Sequence, residues 1–451
     1  MTKSGLMVGL EIHQQLSTGR KLFCNCKPTE SEEYDILFQR RLRVAKSETG
    51  KRDNAALFER SKDMQTEYHG NSHSSCLVEQ DEEPPHELDS KSLDLALIIA
   101  ASMNSKIFTE IYPMRKIVID GSNTSGFQRT MLVSQGGTLQ YMNGKSIGVQ
   151  AIYLEEDAAK NLGTSGTVRR FGLDRLGIPL LEIALEPSNP KNPQEIREIA
   201  LSVGRLLRST NMVARGIGSI RQDVNVSVDG GNVVEVKGVQ QLEQLEKVIE
   251  FEEKRQMGMI SIAEKIKNSK TNVSQDTKII TEIMKNCQSK IIKKSLKDGC
   301  LIRAIKINNG KGIFGFSPYP DIRLGSEIAQ VVRFFGVGGI FHSDELPKYG
   351  IEQEDVNHIK NTLGVKENDG WLIVAIPSSK DDIVTRAIIN RLEQAKDGVP
   401  AETRLATQTG STIFLRPRPG AARMYPETDI HPIVIKDRIE FAKKNIPKSW
   451  D

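Results

Sequence analysis

Five unevenly spaced cysteines in 451 residues are too few and too irregular for a secreted disulfide framework, and a reducing cytosol suits them better. No apolar run approaches the length of a membrane span. Met1-Thr2-Lys3-Ser4-Gly5 leads straight into an apolar stretch rather than a signal peptide, so the expectation is a soluble, cytoplasmic protein with no membrane partner. Neither sign of charge is in excess: 62 Lys and Arg face 58 Asp and Glu, a net +4. That balance allows an RNA partner without demanding one. A Walker phosphate loop is missing, and no Ser-x-x-Lys or Cys–His arrangement stands out as a nucleophile constellation. There is no internal repeat and no low-complexity tract. A chain of this length holds two or three domains with full-sized cores.

What is present centres on acids in apolar settings. Glu11 lies between Leu10 and Ile12, and Glu182 interrupts Ile178-Pro179-Leu180-Leu181-Glu182-Ile183. Leu154-Glu155-Glu156-Asp157 follows an apolar run containing Ile147, Val149 and Ile152. A carboxylate in an aliphatic strand is costly unless something pairs with it. Three such segments suggest convergence on a cation, and oxygen donors with at most one imidazole suit Mg²⁺ rather than zinc. Each acid taken singly is equally well explained as the solvated face of a half-buried strand.

Residues 5–13 read as a strand, and Ser92–Met103 and the stretch after Asn192-Pro193 as core helices. The charged segment 40–70 reads as solvated surface. Lys116–Asp120 is a short strand entering the loop Gly121-Ser122-Asn123-Thr124-Ser125-Gly126, whose N–H groups and hydroxyls could cradle phosphate between Lys116 and Arg129. Taken alone, an ordinary polar turn explains that loop better. Ser219–Val228, Asp229-Gly230-Gly231 and Val233–Lys237 predict a β-hairpin. Its alternation puts Arg221, Asp223, Asn225 and Ser227 on one face, with Glu235 and Lys237 facing the same way if the register aligns them; solvent exposure accounts for that face equally well. From about Asn268 the composition turns to Lys, Asn, Ser and Thr, a linker signal. Residues 275–400 read as a separate α/β module, with strands Leu301–Ile307 and Gly370–Ile376 and helices near Gln353–Leu363 and Asp381–Ala395. The segment Arg416–Asp429, dense in Arg, Pro and acids, reads as a link between domains or the lining of a cleft.

Four motifs then occur in one order: Gly9-Leu10-Glu11-Ile12-His13, Leu154–Asp157, Gly177–Glu182 and Ser219–Asn225. That order resembles the GatB/GatE family, the tRNA-binding, kinase-bearing subunits of tRNA-dependent amidotransferases. Asp120–Arg129 and Phe341–Pro347 are more similar to its archaeal GatE branch than to GatB.

The resemblance implies an α+β protein. A cradle domain with a mainly antiparallel sheet would cover residues 1–274, and an insertion like that of bacterial-type aspartyl-tRNA synthetases residues 275–402. A return segment of the cradle would follow at 403–451, with the family's C-terminal helical and tail domains absent. It also implies ATP- and Mg²⁺-dependent phosphorylation of glutamate misattached to tRNA(Gln), followed by amidation. Ammonia would come from an asparaginase-like glutaminase, GatD, in a heterotetramer of two GatD and two GatE chains. Carried onto this sequence, the metal ligands would be His13, Glu156 and Glu182, with Glu11 as an additional ligand. Lys116, Ser125 and Gln128, with the loop Gly121–Gly126, would face phosphates or the glutamyl ester, and Arg221, Asp223 and Asn225 would line the floor. Bacterial GatB carries a four-cysteine zinc site; here Cys24, Cys26 and Cys76, with His69 and His73 nearby, make zinc the lesser expectation, and Cys287 and Cys300 read as structural. The alternatives are a non-catalytic tRNA-binding protein and a GatB-type amidotransferase.

Overall fold

The computed structural model describes residues 4–448 apart from 47–49, 143 and 421–422. Its main feature is a twelve-stranded, largely antiparallel sheet. Along its length the strands run Thr412–Pro417, Glu402–Ala406, Val234–Val239, Ile220–Ser227, Met7–Gln15, Pro179–Leu185, Lys145–Glu156, Phe127–Gln135, Pro113–Ile117 and Met424–Pro426. Only Val234–Val239 with Glu402–Ala406 is a parallel pair on this path.

Alternation divides the two faces. Leu10, Ile12, Leu154, Leu181, Ile183, Val224 and Val226 are all buried on one side, in a core shared with the helices Ser90–Ser102, Pro193–Ser209 and Leu242–Asn268. The polar partners of these residues in the period-two pattern lie on the other side.

The outermost strands of this path, Thr412–Pro417 and Met424–Pro426, are consecutive in the chain. Laid flat, ten strands at ~4.8 Å spacing would separate them by about 43 Å. The seven residue steps from Pro417 to Met424 reach at most about 25 Å. The sheet therefore curls into a trough. Arg416 at one rim and Arg423 at the other come close enough to affect each other's ionisation, so the polar face is the concave one.

Residues 272–377 carry a second, four-stranded antiparallel sheet in the order Asn272–Ile279, Cys300–Asn308, Gly370–Pro377, Phe341–His342. One face has its own core around Met284, Ile292, Ile302, Ile359, Trp371 and Ile373. The other face, with Ile305, Ile307, Leu372 and Val374, joins the main core together with Leu324, Ile328, Val384 and Ile388. The module is thus only half self-sufficient. The expected linker after Asn268 is an edge strand, Asn272–Ile279, and a division at 274/275 cuts it. Edge strands tolerate the Lys, Asn, Ser and Thr that read as linker. A division at 402/403 likewise cuts Glu402–Ala406, which belongs to the main sheet. Nor is segment 40–70 all solvated surface: Gln65–Gly70 lies inside a third sheet, where Tyr68 is fully buried.

A joint of buried charges ties the module to the sheet. Arg255 donates to Glu252 and Glu327, Arg404 to Glu327 and Glu402, and Arg391 to Glu402. All six side chains are buried, three guanidiniums against three carboxylates.

Candidate active site

The central strand Met7–Gln15 sets the middle of the trough. Its register places His13 opposite Glu182 on one side and Arg221 on the other, and Glu11 opposite Asp223. Glu182 in turn lies opposite Tyr153, so period two carries Glu155, not Glu156, onto the concave face. The structure brings His13, Glu155 and Glu182 together, with one ligand atom from each within 4.8 Å of the others. His13 Nε2 lies 3.1 Å from Glu182 Oε2. Lys116 Nζ donates to Glu155 Oε1 at 2.5 Å and stands 3.7 Å from Glu182 Oε2. Gln128 donates to Glu155 Oε2 at 3.1 Å.

Glu156 is a correction to the expected ligand set. It points to the convex side, where the Arg129 backbone N–H donates to it at 3.1 Å and the Arg129 guanidinium lies 3.4 Å away. Burial pushes its carboxyl above the usual range, against the pull of Arg129.

Beside the first cluster lies a second, Glu11, Asp223 and Glu235, again with one ligand atom from each within 4.8 Å. Lys237 bridges Asp223 at 2.6 Å and Glu235 at 2.7 Å, and Asn225 donates to Glu11 at 2.8 Å. Arg221 reaches Asp157 at 3.4 Å. The hairpin's polar face is therefore part of one continuous floor with Glu11 and His13, rather than a solvated surface.

The electrostatics follow from burial set against pairing. Burial and the neighbouring Glu182 charge hold Glu11 above the usual carboxylate range. For Glu182, burial is outweighed by Lys116 and by the His13 hydrogen bond, and its carboxyl is held well down. Burial also opposes charging of His13, but the Glu182 hydrogen bond and charge overcome it and raise its pKa. Glu235 is held at about 2 because Lys237 outweighs its burial.

The polar groups of the loop Gly121–Gly126 are engaged locally. Asn123 and Thr124 are buried, and Thr124 donates to the Glu79 carbonyl. Ser122 donates to Asp120 through both N–H and hydroxyl, and the Ser125 hydroxyl donates to the Phe127 carbonyl. The Gly121 φ is +98°, and a Cβ there would lie 2.7 Å from Thr66 Oγ1. This glycine thus allows close packing against the third sheet.

Glu79 is a residue that sequence reasoning did not single out. It joins Cys24, Cys26 and Cys76, all four offering ligand atoms within 4.8 Å. Cys24 Sγ donates to Glu79 Oε1 at 2.8 Å. The thiols Cys24 and Cys26 hold Cys76 well below the ordinary thiol range, while Cys26 itself lies at about 12. Such a donor set is of the kind that holds a structural zinc ion. His69 is instead engaged by Glu67 at 2.9 Å.

The family described as the GatB/GatE catalytic domain matches residues 6–440. Proteins named as the E subunit of glutamyl-tRNA(Gln) amidotransferase are similar over 99% of this chain: one from Sulfurisphaera tokodaii is 49% identical, with 72% of its own length covered. Those from Sulfolobus acidocaldarius and Saccharolobus solfataricus are 49% and 46% identical, with 72% and 71% of their lengths covered. A match to the family over nearly the whole chain, with relatives close to half identical, places this chain in the GatB/GatE family.

Proposed function

We propose that the trough carries out the ATP-dependent amidation of glutamate misattached to tRNA(Gln). A carboxylate oxygen is a poor leaving group toward ammonia, so the side-chain carboxylate first attacks the γ-phosphorus of ATP and releases ADP. Ammonia then adds to the acyl carbon, and phosphate departs with the C–O bond electrons, leaving glutaminyl-tRNA(Gln). Phosphoryl transfer of this kind needs positioning and charge neutralisation more than covalent help from the protein.

The observation that carries the reading is the convergence of His13, Glu155 and Glu182 around Lys116. Two carboxylates and one imidazole are a hard, oxygen-rich donor set that fits Mg²⁺, and these three residues would hold it. Bound there, Mg²⁺ would supply positive charge to the phosphate oxygens. Lys116 adds a cation at the same place. Glu11, held by Asn225, and Arg221, opposite His13, would orient the glutamyl group along the floor.

No Ser-x-x-Lys or Cys–His nucleophile pair supports ammonia production within this sequence, so ammonia would come from a glutaminase of the GatD type, in an assembly of two GatD-type and two GatE-type chains. Among the described residues no helix is long and apolar enough to cross a membrane. The test is ADP formation by the chain with its glutaminase partner, with and without Glu-tRNA(Gln). Stimulation by Glu-tRNA(Gln), lost in Glu182→Gln, is the expected result. RNA binding without any magnesium-dependent nucleotide site would leave a non-catalytic RNA-binding role instead.

A further inference from the structure

The other cations around the acid clusters of the trough each have a carboxylate partner. Lys116 has Glu155, Lys237 has Asp223 and Glu235, and Arg221 has Asp157. Arg416 and Arg423 have none within 4 Å among the described residues, although the return segment carries both to the concave face. Arg416 lies opposite Thr403 in the sheet, and Thr403 opposite Glu235, so its side chain shares the face of the second acid cluster. Its Nε is buried and has no acceptor. Arg423 Nε donates to the Ile117 carbonyl at 3.2 Å, and the next residue, Met424, lies opposite Lys116.

The acids near them are already committed. Glu235 accepts from Lys237 and from the Thr403 hydroxyl, and Glu155 accepts from Lys116 and Gln128. Asp53 accepts from the N–H groups of Ala56 and Gly420. Burial and the charge of Arg416 together hold Arg423 below the usual guanidinium range. Two guanidiniums that repel each other in a partly buried place without a counter-charge are unfavourable until an anion sits between them.

Resting on the phosphoryl-transfer reading, we propose that Arg416 and Arg423 form the anion subsite of the trough and bind the terminal phosphoryl group of the nucleotide beside Lys116. A planar guanidinium fork matches a phosphoryl group through paired N–H···O bonds, which an ammonium cannot reproduce. The phosphoryl group, rather than RNA backbone phosphate, is the chosen ligand because Arg423 adjoins the strand carrying Lys116, beside the acids proposed to hold magnesium.

The test titrates ATP with Mg²⁺, and separately pyrophosphate without metal, into the full chain by calorimetry. Arg416→Met and Arg423→Met should each weaken both ligands roughly ten- to a hundredfold, the worth of a lost charge-assisted hydrogen bond. Arg416→Lys and Arg423→Lys keep the charge and cover the case in which the Met variants fail to fold; they should show a smaller loss of the same kind. Unchanged affinity for both ligands in folded variants overturns the proposal. So does a loss confined to an RNA oligonucleotide, or a wild-type chain that binds neither ligand. A wild-type chain that binds pyrophosphate through these arginines but no Mg²⁺–ATP would uphold the anion subsite while ending the proposed function.

Discussion

Replacing Glu327 by Gln keeps the shape of the side chain but removes one negative charge from the joint between the inserted module and the main sheet. Arg255 donates to this carboxylate at 3.1 Å and Arg404 at 3.3 Å, and Glu327 is 4% exposed. Without it, three buried guanidiniums share two carboxylates. Breaking a buried ion pair from one side costs about 3–5 kcal/mol. Protonation leads to a similar figure independently. Burial opposes ionisation of Glu327, but Arg404, Arg255 and Arg391 outweigh it and hold the carboxyl at about 2, against an ordinary 4.5. That difference corresponds to about 3 kcal/mol at neutral pH. Because the folded value is depressed, this stability is present above pH 4.5 and is lost as pH falls through 2. Urea unfolding of wild type and Glu327→Gln should therefore differ by ~3 kcal/mol at pH 7 and by about half of that at pH 3. A gap below ~1 kcal/mol at pH 7, or one that does not narrow in acid, would refute the claim that charge pairing locks the joint.

Three further outcomes follow from the same geometry. Glu155→Gln and Glu156→Gln should separate cleanly: the first abolishes magnesium-dependent ATP binding, while the second leaves it intact and shifts stability by less than ~1 kcal/mol, because burial already disfavours the Glu156 charge. Equal binding by the two variants in calorimetry would remove Glu155 from the ligand set. Deleting roughly residues 278–400 should yield a protein without a cooperative unfolding transition, since Leu324, Ile328, Val384 and Ile388 leave the main core along with Glu327 and Arg391. A soluble deletion protein that melts cooperatively would show the core to be severable. Magnesium-dependent ATP affinity should weaken as pH falls, with the loss beginning above the ordinary imidazole value of 6.5, because His13, with its raised pKa, gains a proton that competes with the metal; a pH-independent affinity would exclude His13 as a ligand.

Much of this was legible in the sequence because it is local. The hairpin, the helices Gln353–Leu363 and Asp381–Ala395, and the strands around Glu11 and Glu182 all show their period in a short window. Where polar composition and structure part company, the cause is tertiary. Asn272–Ile279 looks like linker because an edge strand need bury only one side, and Gln65–Gly70 looks like solvated surface although Tyr68 faces a small core with Phe171 and Leu173. The loop Gly121–Gly126 has the composition of a phosphate cradle, yet its polar groups turn toward Asp120, Phe127 and Glu79. Glu79 gave no local sign of its role, since it meets Cys24 and Cys26 across more than fifty residues of chain.

The choice between Glu155 and Glu156 shows most plainly what pairing adds. Both are acids at the end of one apolar run, both are almost fully buried, and composition does not rank them. Alternation alone says only that they face opposite ways. Which one shares a face with His13 depends on register across two ladders, His13 with Glu182 and Glu182 with Tyr153. A slip of one residue in either ladder would exchange the two acids. That register is secured by the aliphatic residues between the acids: Ile12 lies opposite Ile183, and Ile183 opposite Ile152, all on the core side. Burying those side chains is worth roughly 1.5–3 kcal/mol each, so a slipped sheet that turned them toward the polar trough would lose several such contributions at once. The hydrophobic side of the sheet thus decides which carboxylate enters the trough.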